Sequence, residues 1–545
     1  MSKVAAYLQE HILGEVTTNS EVLDAMSHDG SVLQIMPEMV IYPRVTNDIR
    51  KIARFAWQLA EKGHVLPITA RGSGRDQTGA AIGKGIVLVT PAHMNRVFEF
   101  DAKQKLVRLQ PGATSHSINQ ALLLHGVAIP AISYSAQYST IGGAIANNTS
   151  GPFAGKHGDV GTWVNQLEVV LANGDALQTR RLSKRELNKK KGLQTFEGEI
   201  YRGLDNLIED NKEMIAEKLA SDIRDNVGYS SIAKVKNKDG SFDLMPLIIG
   251  SQGTLGIISE MIMKTEFVSS HMGVAAIAFN SSESARDALD VLCKLDPTFL
   301  DHFDGAIFDQ AAKEGKIYEF YRTAQTNGSV TSVILIGFDD FNERARGKKL
   351  KKVTKALQGV ETNIVTANGE DAEDLMAIRE VTAFSLRPNE KGFSAPPLVD
   401  GVYIPSERYG DFSAAVAVLA EKYHVTLPLH GRILENLYYT RPILQLHKVG
   451  DKQKIFKILD EFTKLVEHHS GHLIGDAGEG RVKARFAYAQ LDDDIKDLFM
   501  AVKAIFDPYG ILNPGVKQSA EIRELVAQLR PDYDTAQLAS YAPYN

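Results

Sequence analysis

The chain has 545 residues, of which 44% are hydrophobic and 23% charged, with 44 glycines. That is apolar material for more than one core, and it excludes a disordered or low-complexity class. The formal net charge of −6 excludes the broad positive field that nucleic acid requires, so no nucleic-acid partner is expected.

A single cysteine, Cys293, rules out an intrachain disulfide and any CxxC pair, which fits a reducing compartment. The opening MSKVAAYLQEHILGEV is interrupted by Gln9, Glu10 and His11 and has no cleavage signature, and no apolar run reaches the ~20 residues of a membrane helix. The expected location is cytoplasmic. Peripheral attachment to the inner membrane face and pairing into a homodimer stay open.

From Val40 onward short β-branched runs alternate with helical segments, which predicts an α+β architecture. Val40 to Tyr42 reads as a strand. Thr46 then caps a helix to Lys62, with Ile49, Ile52, Ala53, Ala56 and Leu59 on one face and Gly63 at its end. Strands are predicted at 65–69 and 86–90, a hairpin around Asp101-Ala102, and a second hairpin at Asn173-Gly174. A basic run, Lys184 to Lys191, reads as a solvated face. A long helical stretch covers 197–219, and Ile257 to Met263 forms a strand. Beyond about residue 270 a second sheet region begins, with strands at 273–279 and 330–338, a helix at 282–295 and an amphipathic helix at 451–469. The segment from Ser519 is polar and is expected to wrap the surface.

Three glycine-bearing loops carry the chemical signal. The first, Arg71-Gly72-Ser73-Gly74-Arg75-Asp76-Gln77-Thr78-Gly79, follows a buried strand and can gather backbone N–H groups around phosphate oxygens. It fits neither the Rossmann spacing nor a P-loop. The second runs Ser139-Thr140-Ile141-Gly142-Gly143-Ala144-Ile145-Ala146-Asn147-Asn148-Thr149-Ser150-Gly151, preceded by Gln110-Pro111-Gly112-Ala113. Its glycines allow close backbone approach and its Asn and Ser residues supply neutral hydrogen-bonding groups, which suits a ligand part aromatic and part charged. The third is Gly250-Ser251-Gln252-Gly253-Thr254-Leu255-Gly256-Ile257-Ile258.

In this order the loops resemble the PCMH-type FAD-binding domain of the vanillyl-alcohol oxidase and p-cresol methylhydroxylase superfamily. Lys156-His157-Gly158, Leu167 to Leu171, Phe506-Asp507-Pro508 and Ile511-Leu512-Asn513-Pro514-Gly515-Val516-Lys517 are similar to its D-lactate dehydrogenase and glycolate oxidase branch, with the FAD-linked oxidase type of C-terminal domain. The resemblance implies a two-subdomain FAD domain over 36–269 behind a helical lead at 1–35. It further implies a cap over 270–490 with an antiparallel sheet, and a segment over 491–545 that returns to the FAD domain. It implies FAD held by Arg71 to Gly79, Pro111, Gly112, Ser139, Thr140, Gly142, Gly143, Asn147, Asn148, Ser150, Gly151, Gly253, Thr254, Gly256, Ile257, Ile258 and Asn513. Because Arg75 stands where histidine-linked relatives carry their His, the FAD is expected to be noncovalent.

The implied reaction is oxidation of a 2-hydroxy acid or related alcohol by hydride transfer to flavin N5, with electrons passed to a quinone, a carrier protein or oxygen. Arg379, in Ile378-Arg379-Glu380, is the candidate for a substrate carboxylate, with a helix ion pair to Glu380 or Asp374 as the alternative. The chain departs from the family where dehydrogenases carry GHxGDGNLH and GEHGIGxxK. It reads Leu429-His430-Gly431-Arg432-Ile433-Leu434-Glu435-Asn436-Leu437-Tyr438, one residue longer, and then Gly475-Asp476-Ala477-Gly478-Glu479-Gly480-Arg481-Val482-Lys483. Ala477 occupies the catalytic histidine position and Tyr438 that of a metal-binding one. No metal is therefore expected, and His430, Asp476 and Glu479 read as a hydrogen-bonded cluster. Tyr438 and His430 are the leading candidates for the base, with Tyr439 and His447 behind them. Two alternatives follow from these departures: a flavin-binding protein with lost or altered catalysis, and a non-oxidative flavin enzyme of the superfamily.

Overall fold

A computed structural model describes residues 3–132, 138–221, 223–384, 393 and 395–530. β-Branched runs bounded by Gly and Pro form the strands of two adjoining sheets in the N-terminal half. The first sheet orders Glu15–Thr17, Met39–Tyr42, Ile86–Val89 and Ile68–Arg71, antiparallel at the first pair and parallel thereafter. The lead before residue 36 thus supplies an edge strand as well as helices. The second sheet orders Val97–Asp101, Leu106–Leu109, Ile257–Lys264, Val164–Val170 and Ala176–Gln178, all antiparallel. Both expected hairpins occur in it, and Gly174 takes the positive φ of +85° that its turn demands.

The helix Thr46–Ala60 buries Ile49, Ile52, Ala53 and Ala56 against the first sheet. Its cap differs from expectation. Val45 is the N-cap and makes no side-chain cap bond. Thr46 lies inside the helix, its hydroxyl donating to Glu168 Oε1 at 3.1 Å, while Asp48 accepts from the N–H groups of Leu13 and Arg44. The 197–219 stretch is a helix Phe196–Asp210 followed by Lys212–Met214 and a wide turn Ile215–Leu219. The basic run forms the helix Lys184–Lys191 behind a Ser183/Glu186 capping box, with Lys190 paired to Glu197 and Lys191 to Asp205.

The cap is one antiparallel sheet in the order Thr362–Gly369, Met272–Phe279, Ser332–Phe338, Phe299–Asp304, Leu429–Arg432, Leu437–Thr440, Val399–Tyr403. The inner strand Ser332–Phe338 is buried throughout, as a strand covered on both faces must be. Helices including Ser282–Cys293, Glu343–Ala356 and Val449–His468 pack around the sheet.

The chain's end closes the N-terminal half. Ile511 O accepts from Ile68 N at 2.7 Å and Asn513 N donates to Ile68 O at 2.9 Å, extending the first sheet beyond its edge strand. Further on, Gln34 N donates to Gln528 O and Arg530 N to Val32 O, so this stretch lies against the N-terminal lead. Of the segment from Ser519, residues 531–545 fall outside the described residues. No described helix is long and apolar enough to cross a membrane.

Candidate functional site

The three glycine loops converge on one cavity of about 480 Å³. The first follows the strand Ile68–Arg71 and the third precedes the strand Ile257–Lys264, while the second carries a short helix, Ile141–Asn147. Arg71 to Thr78 form one wall, Ser139 to Gly151 with Pro111 a second, and Ser251 to Gly253 with Gly256 and Ile258 a third. Packing between the first and second walls, and within the second, is so close that side chains are excluded at two glycines. A Cβ on Gly72 would sit 2.0 Å from Thr140 Oγ1, and one on Gly142 would sit 2.6 Å from Pro111 Cβ and 2.8 Å from Pro111 O. Backbone bonds from Ile141 to Ala113 and from Gly142 to Pro111, both 2.9 Å, fix that contact.

Of the residues expected at a flavin, Arg71, Gly72, Ser73, Gly74, Arg75, Asp76, Gln77, Pro111, Ser139, Thr140, Gly142, Gly143, Asn147, Ser150, Gly151, Gly253, Gly256 and Ile258 line the cavity. Six others stand behind its wall. Gly79 accepts from Arg481 Nη1 at 2.7 Å. Gly112 is wedged against Met94 O and Pro91, and Ile257 lies in the core. Thr254 bonds Ser251 O and Tyr229, while Asn148 Nδ2 donates to Asp159 and Asn226. Asn513 does return from the far end of the chain, but its amide is taken up within the protein. Its Nδ2 donates to Ala80 O and Gln252 O at 2.9 and 2.8 Å, and its Oδ1 accepts from Thr69 Oγ1 at 3.0 Å. It ties the first and third loops together rather than facing the cavity.

Behind the first loop, burial and then the neighbouring Asp76 carboxylate push Asp29 up to about 7, although Ser31 donates to it twice. Asp76 itself accepts from Thr78 N, Ala80 N and Asn147 Nδ2, at 2.9, 2.7 and 3.0 Å. It braces the first wall against the second.

The cap closes the remaining side with Asp400, Gly401, Arg432, Tyr439, Arg441, Asp476, Ala477 and Lys483. Arg441 Nε donates to Asp400 Oδ2 at 2.8 Å, Lys483 Nζ to Asp400 O at 3.1 Å, and Tyr439 O–H to Asp476 Oδ2 at 2.9 Å. Burial drives the Tyr439 phenol well above its ordinary value and lowers the Lys483 ammonium. Burial also raises the Asp400 carboxyl, against the pull of Arg441. Asp400 Oδ1 is buried and has no hydrogen-bond partner, an arrangement that costs about 1–3 kcal/mol unless a ligand supplies a donor.

None of the three catalytic candidates lines this cavity. Tyr438 is corrected outright: its ring is only 1% exposed and stacks on Tyr409 at 4.3 Å in the cap core. Its neighbour on the strand, Tyr439, faces the cavity instead. Arg379 pairs with neither Glu380 nor Asp374. Its Nε donates to Asp301 Oδ2 at 2.5 Å and its Nη2 to Pro152 O at 2.6 Å, with the guanidinium over the Phe299 ring. His430 stacks between Phe303 and Tyr439, and burial holds it neutral, well below its ordinary value. Glu479 stands apart from Asp476 and His430, in a fully buried pair with Lys517 at 2.7 Å. Among the described residues no group of three or more His, Cys, Asp or Glu comes together to hold a metal ion.

The cap also grips the second loop. Ser150 N donates to Asp476 Oδ1 at 2.7 Å, Ser150 Oγ donates to Glu435, and Ser150 O accepts from Arg432 Nη1 at 2.9 Å. The loop is therefore set by cap side chains at its C-terminal end.

Residues 37–180 match the model of an FAD binding domain, and residues 268–516 match that of the C-terminal domain of FAD linked oxidases. In chain order, the two parts are thus similar to the FAD-binding and C-terminal domains of FAD-linked oxidases. The chain is 25% identical over 537 residues to the D-2-hydroxyglutarate dehydrogenase of Pantoea ananatis, covering 96% of the chain but 52% of that relative. It thus spans about half the length of the first curated relatives it matches. It is also 25% identical to the glycolate oxidase subunit GlcD of Bacillus subtilis, over 91% of the chain and 92% of the relative. With the D-lactate dehydrogenase of Archaeoglobus fulgidus it shares 24% identity, over 88% of the chain and 90% of the relative. Among solved structures, the 4-ethylphenol oxidase from Gulosibacter chungangensis superposes with a TM-score of 0.67 at 16% identity, covering 95% of this chain and 97% of that one. An alkyldihydroxyacetonephosphate synthase superposes at 0.64 with 15% identity, over 94% and 86% of the two chains. Both share the fold. The donor set fits FAD: small residues and backbone along two walls, neutral amides and hydroxyls between them, and a polar cap end.

Proposed function

We propose that this chain oxidises a small 2-hydroxy acid, or a related alcohol, with noncovalent FAD as the hydride acceptor. The cap end of the cavity carries the reading. Arg441 and Lys483 stand there beside Asp400, while Arg432 faces Glu435 and Asp476, and an arginine beside a lysine suits a substrate carboxylate. The relatives named above, a D-2-hydroxyglutarate dehydrogenase, a glycolate oxidase subunit and a D-lactate dehydrogenase, support the same substrate class.

FAD, when bound, supplies a hydride acceptor at N5. Arg71 to Gln77, Thr140, Gly142, Gly143 and Gly253 would hold it. The chain's own side chains orient the substrate and manage its proton. Arg441 and Lys483 would draw the substrate carboxylate. Tyr439, kept protonated by burial, would hold Asp476 in place through its O–H. Arg379 would act at one remove, by holding Pro152 and with it the end of the second loop. Cys293 ends the cap helix Ser282–Cys293 and Arg75 stands in the wall, which supports a noncovalent flavin. The electron acceptor is read as a quinone, a carrier protein or oxygen.

Anaerobic stopped-flow mixing of the yellow holoprotein with a panel of 2-hydroxy acids, sugar acids and alcohols tests the reading. At least one hydroxy acid is expected to bleach the flavin. A flavin left oxidised by the whole panel would refute it. That result would instead favour a second reading, flavin binding with lost catalysis, to which Ala477 in the cavity wall points.

A further inference from the structure

We propose that Asp400 accepts the proton of the substrate hydroxyl, the task that the family resemblance gives to a histidine where this chain has Ala477. The assignment rests on the hydroxy-acid reading above. Apart from arginines, five ionisable side chains line the cavity: Asp76, Asp400, Tyr439, Asp476 and Lys483. Four are committed. Asp76 accepts on both oxygens, from Thr78, Ala80 and Asn147. Asp476 Oδ1 accepts from the N–H groups of Ser150 and Ala477, and its Oδ2 accepts from Tyr439. Tyr439 spends its proton on that bond. Lys483 donates to Asp400 O.

Asp400 alone among them keeps an acceptor in hand. Arg441 Nε fixes Oδ2 at 2.8 Å, and Oδ1, buried, accepts nothing. A substrate whose carboxylate lies toward Arg441 and Lys483 would present its hydroxyl next to that oxygen. In the step, the hydroxyl O–H bond breaks and its proton passes to Oδ1. The O–H electron pair becomes the second bond of the new carbonyl, and the carbon-bound hydrogen leaves with its pair as the hydride that reduces FAD. One 2-hydroxy acid becomes one 2-oxo acid.

Asp400 must be ionised to act, so flavin reduction should speed up as pH rises past its midpoint. Burial lifts that midpoint above the ordinary aspartate value, with Asp476 adding to the lift and Arg441 and Lys483 opposing it.

The test compares wild-type holoprotein with Asp400→Asn, Asp400→Glu and Asp400→Ala. Asp400→Asn is expected to bind FAD as the wild type does and to bind the bleaching hydroxy acid within about threefold. Its flavin reduction should be at least about 100-fold slower and should lose the pH step. Asp400→Glu should keep the step, and Asp400→Ala should regain part of the rate with added formate. As a readout independent of turnover, the infrared difference between wild-type and Asp400→Asn holoprotein should show a carboxylic-acid band that fades as pH rises. Asp400→Asn reduced at the wild-type rate with the pH step intact, or no such band, would overturn the proposal. If Asp400→Asn does not fold, a pH step missing from Asp400→Glu would overturn it as well. Failure of the hydroxy-acid reading shows differently: the wild type itself is then left unbleached by every acid, and the proposal falls with it.

Discussion

Tyr438 and Tyr439 show how a single residue of register decides which side chain can do chemistry. Neighbours on a strand face opposite sides of the sheet, and the stretch from His430 carries one residue more than the family motif. Counting along the motif points to Tyr438, whereas the pairing of His430 with Tyr439 across the hairpin turns Tyr439 toward the cavity. Ala477 tells a related story. It holds a left-handed φ of +54°, a conformation that costs an alanine about 1 kcal/mol or more. Ala477→Gly is therefore expected to stabilise the protein by roughly 0.5–1 kcal/mol after glycine's larger unfolded-state entropy is discounted. Urea unfolding checks this, and a midpoint at or below that of the wild type would count against it. The glycine loops were legible because their signal is local. Arg441, Lys483 and Asp400 were not, because only the cap's strand pairings and the docking of residues 476–483 bring them to one place. Asp301, the partner that takes up Arg379, lies 78 residues away in the chain.

At the scale of elements, the segment after the second loop is pinned to the cap. Asp339, at the end of a cap strand, accepts from Lys156 Nζ at 2.5 Å, His157 Nε2 at 3.3 Å and Thr298 Oγ1 at 2.7 Å. Burial by itself would raise its pKa, but these donors outweigh burial and hold the carboxyl well below the ordinary range. A folded-state value below the unfolded one of ~3.9 stabilises above that pH, and the gain disappears as pH falls through the folded value. Asp339→Asn should thus cost about 1–2 kcal/mol at pH 7, and the deficit should shrink once the pH drops below ~4. Thermal melts of both proteins from pH 7 down to pH 3 measure it. A gap that is constant or widens toward acid would contradict this account. Sequence periodicity found most of the helices and strands around this contact. It could not find the contact itself, since Lys156, His157 and Asp339 sit on different sheets' connections with no local pattern linking them.

At the scale of the whole molecule, the cavity exists because the chain's end returns to its beginning. Asn513 joins Thr69, Ala80 and Gln252 at a positive φ of +44° that asparagine tolerates better than most residues. Asn513→Ala removes those bonds and strains the backbone together, so a loss of about 2–4 kcal/mol is expected. FAD affinity should weaken in parallel, because the first and third walls lose their tie. Calorimetry and flavin titration report the two effects. Intact flavin affinity in a destabilised variant would show that the tie holds the fold and not the cavity.

Hydride transfer from a 2-hydroxy acid to the bound flavin is measured most directly by an anaerobic titration of the holoprotein with product analysis. One equivalent of acid per FAD should bleach the visible flavin bands and yield one equivalent of the 2-oxo acid. Bleaching without an oxo acid, or the oxo acid formed in less than that proportion, would contradict it.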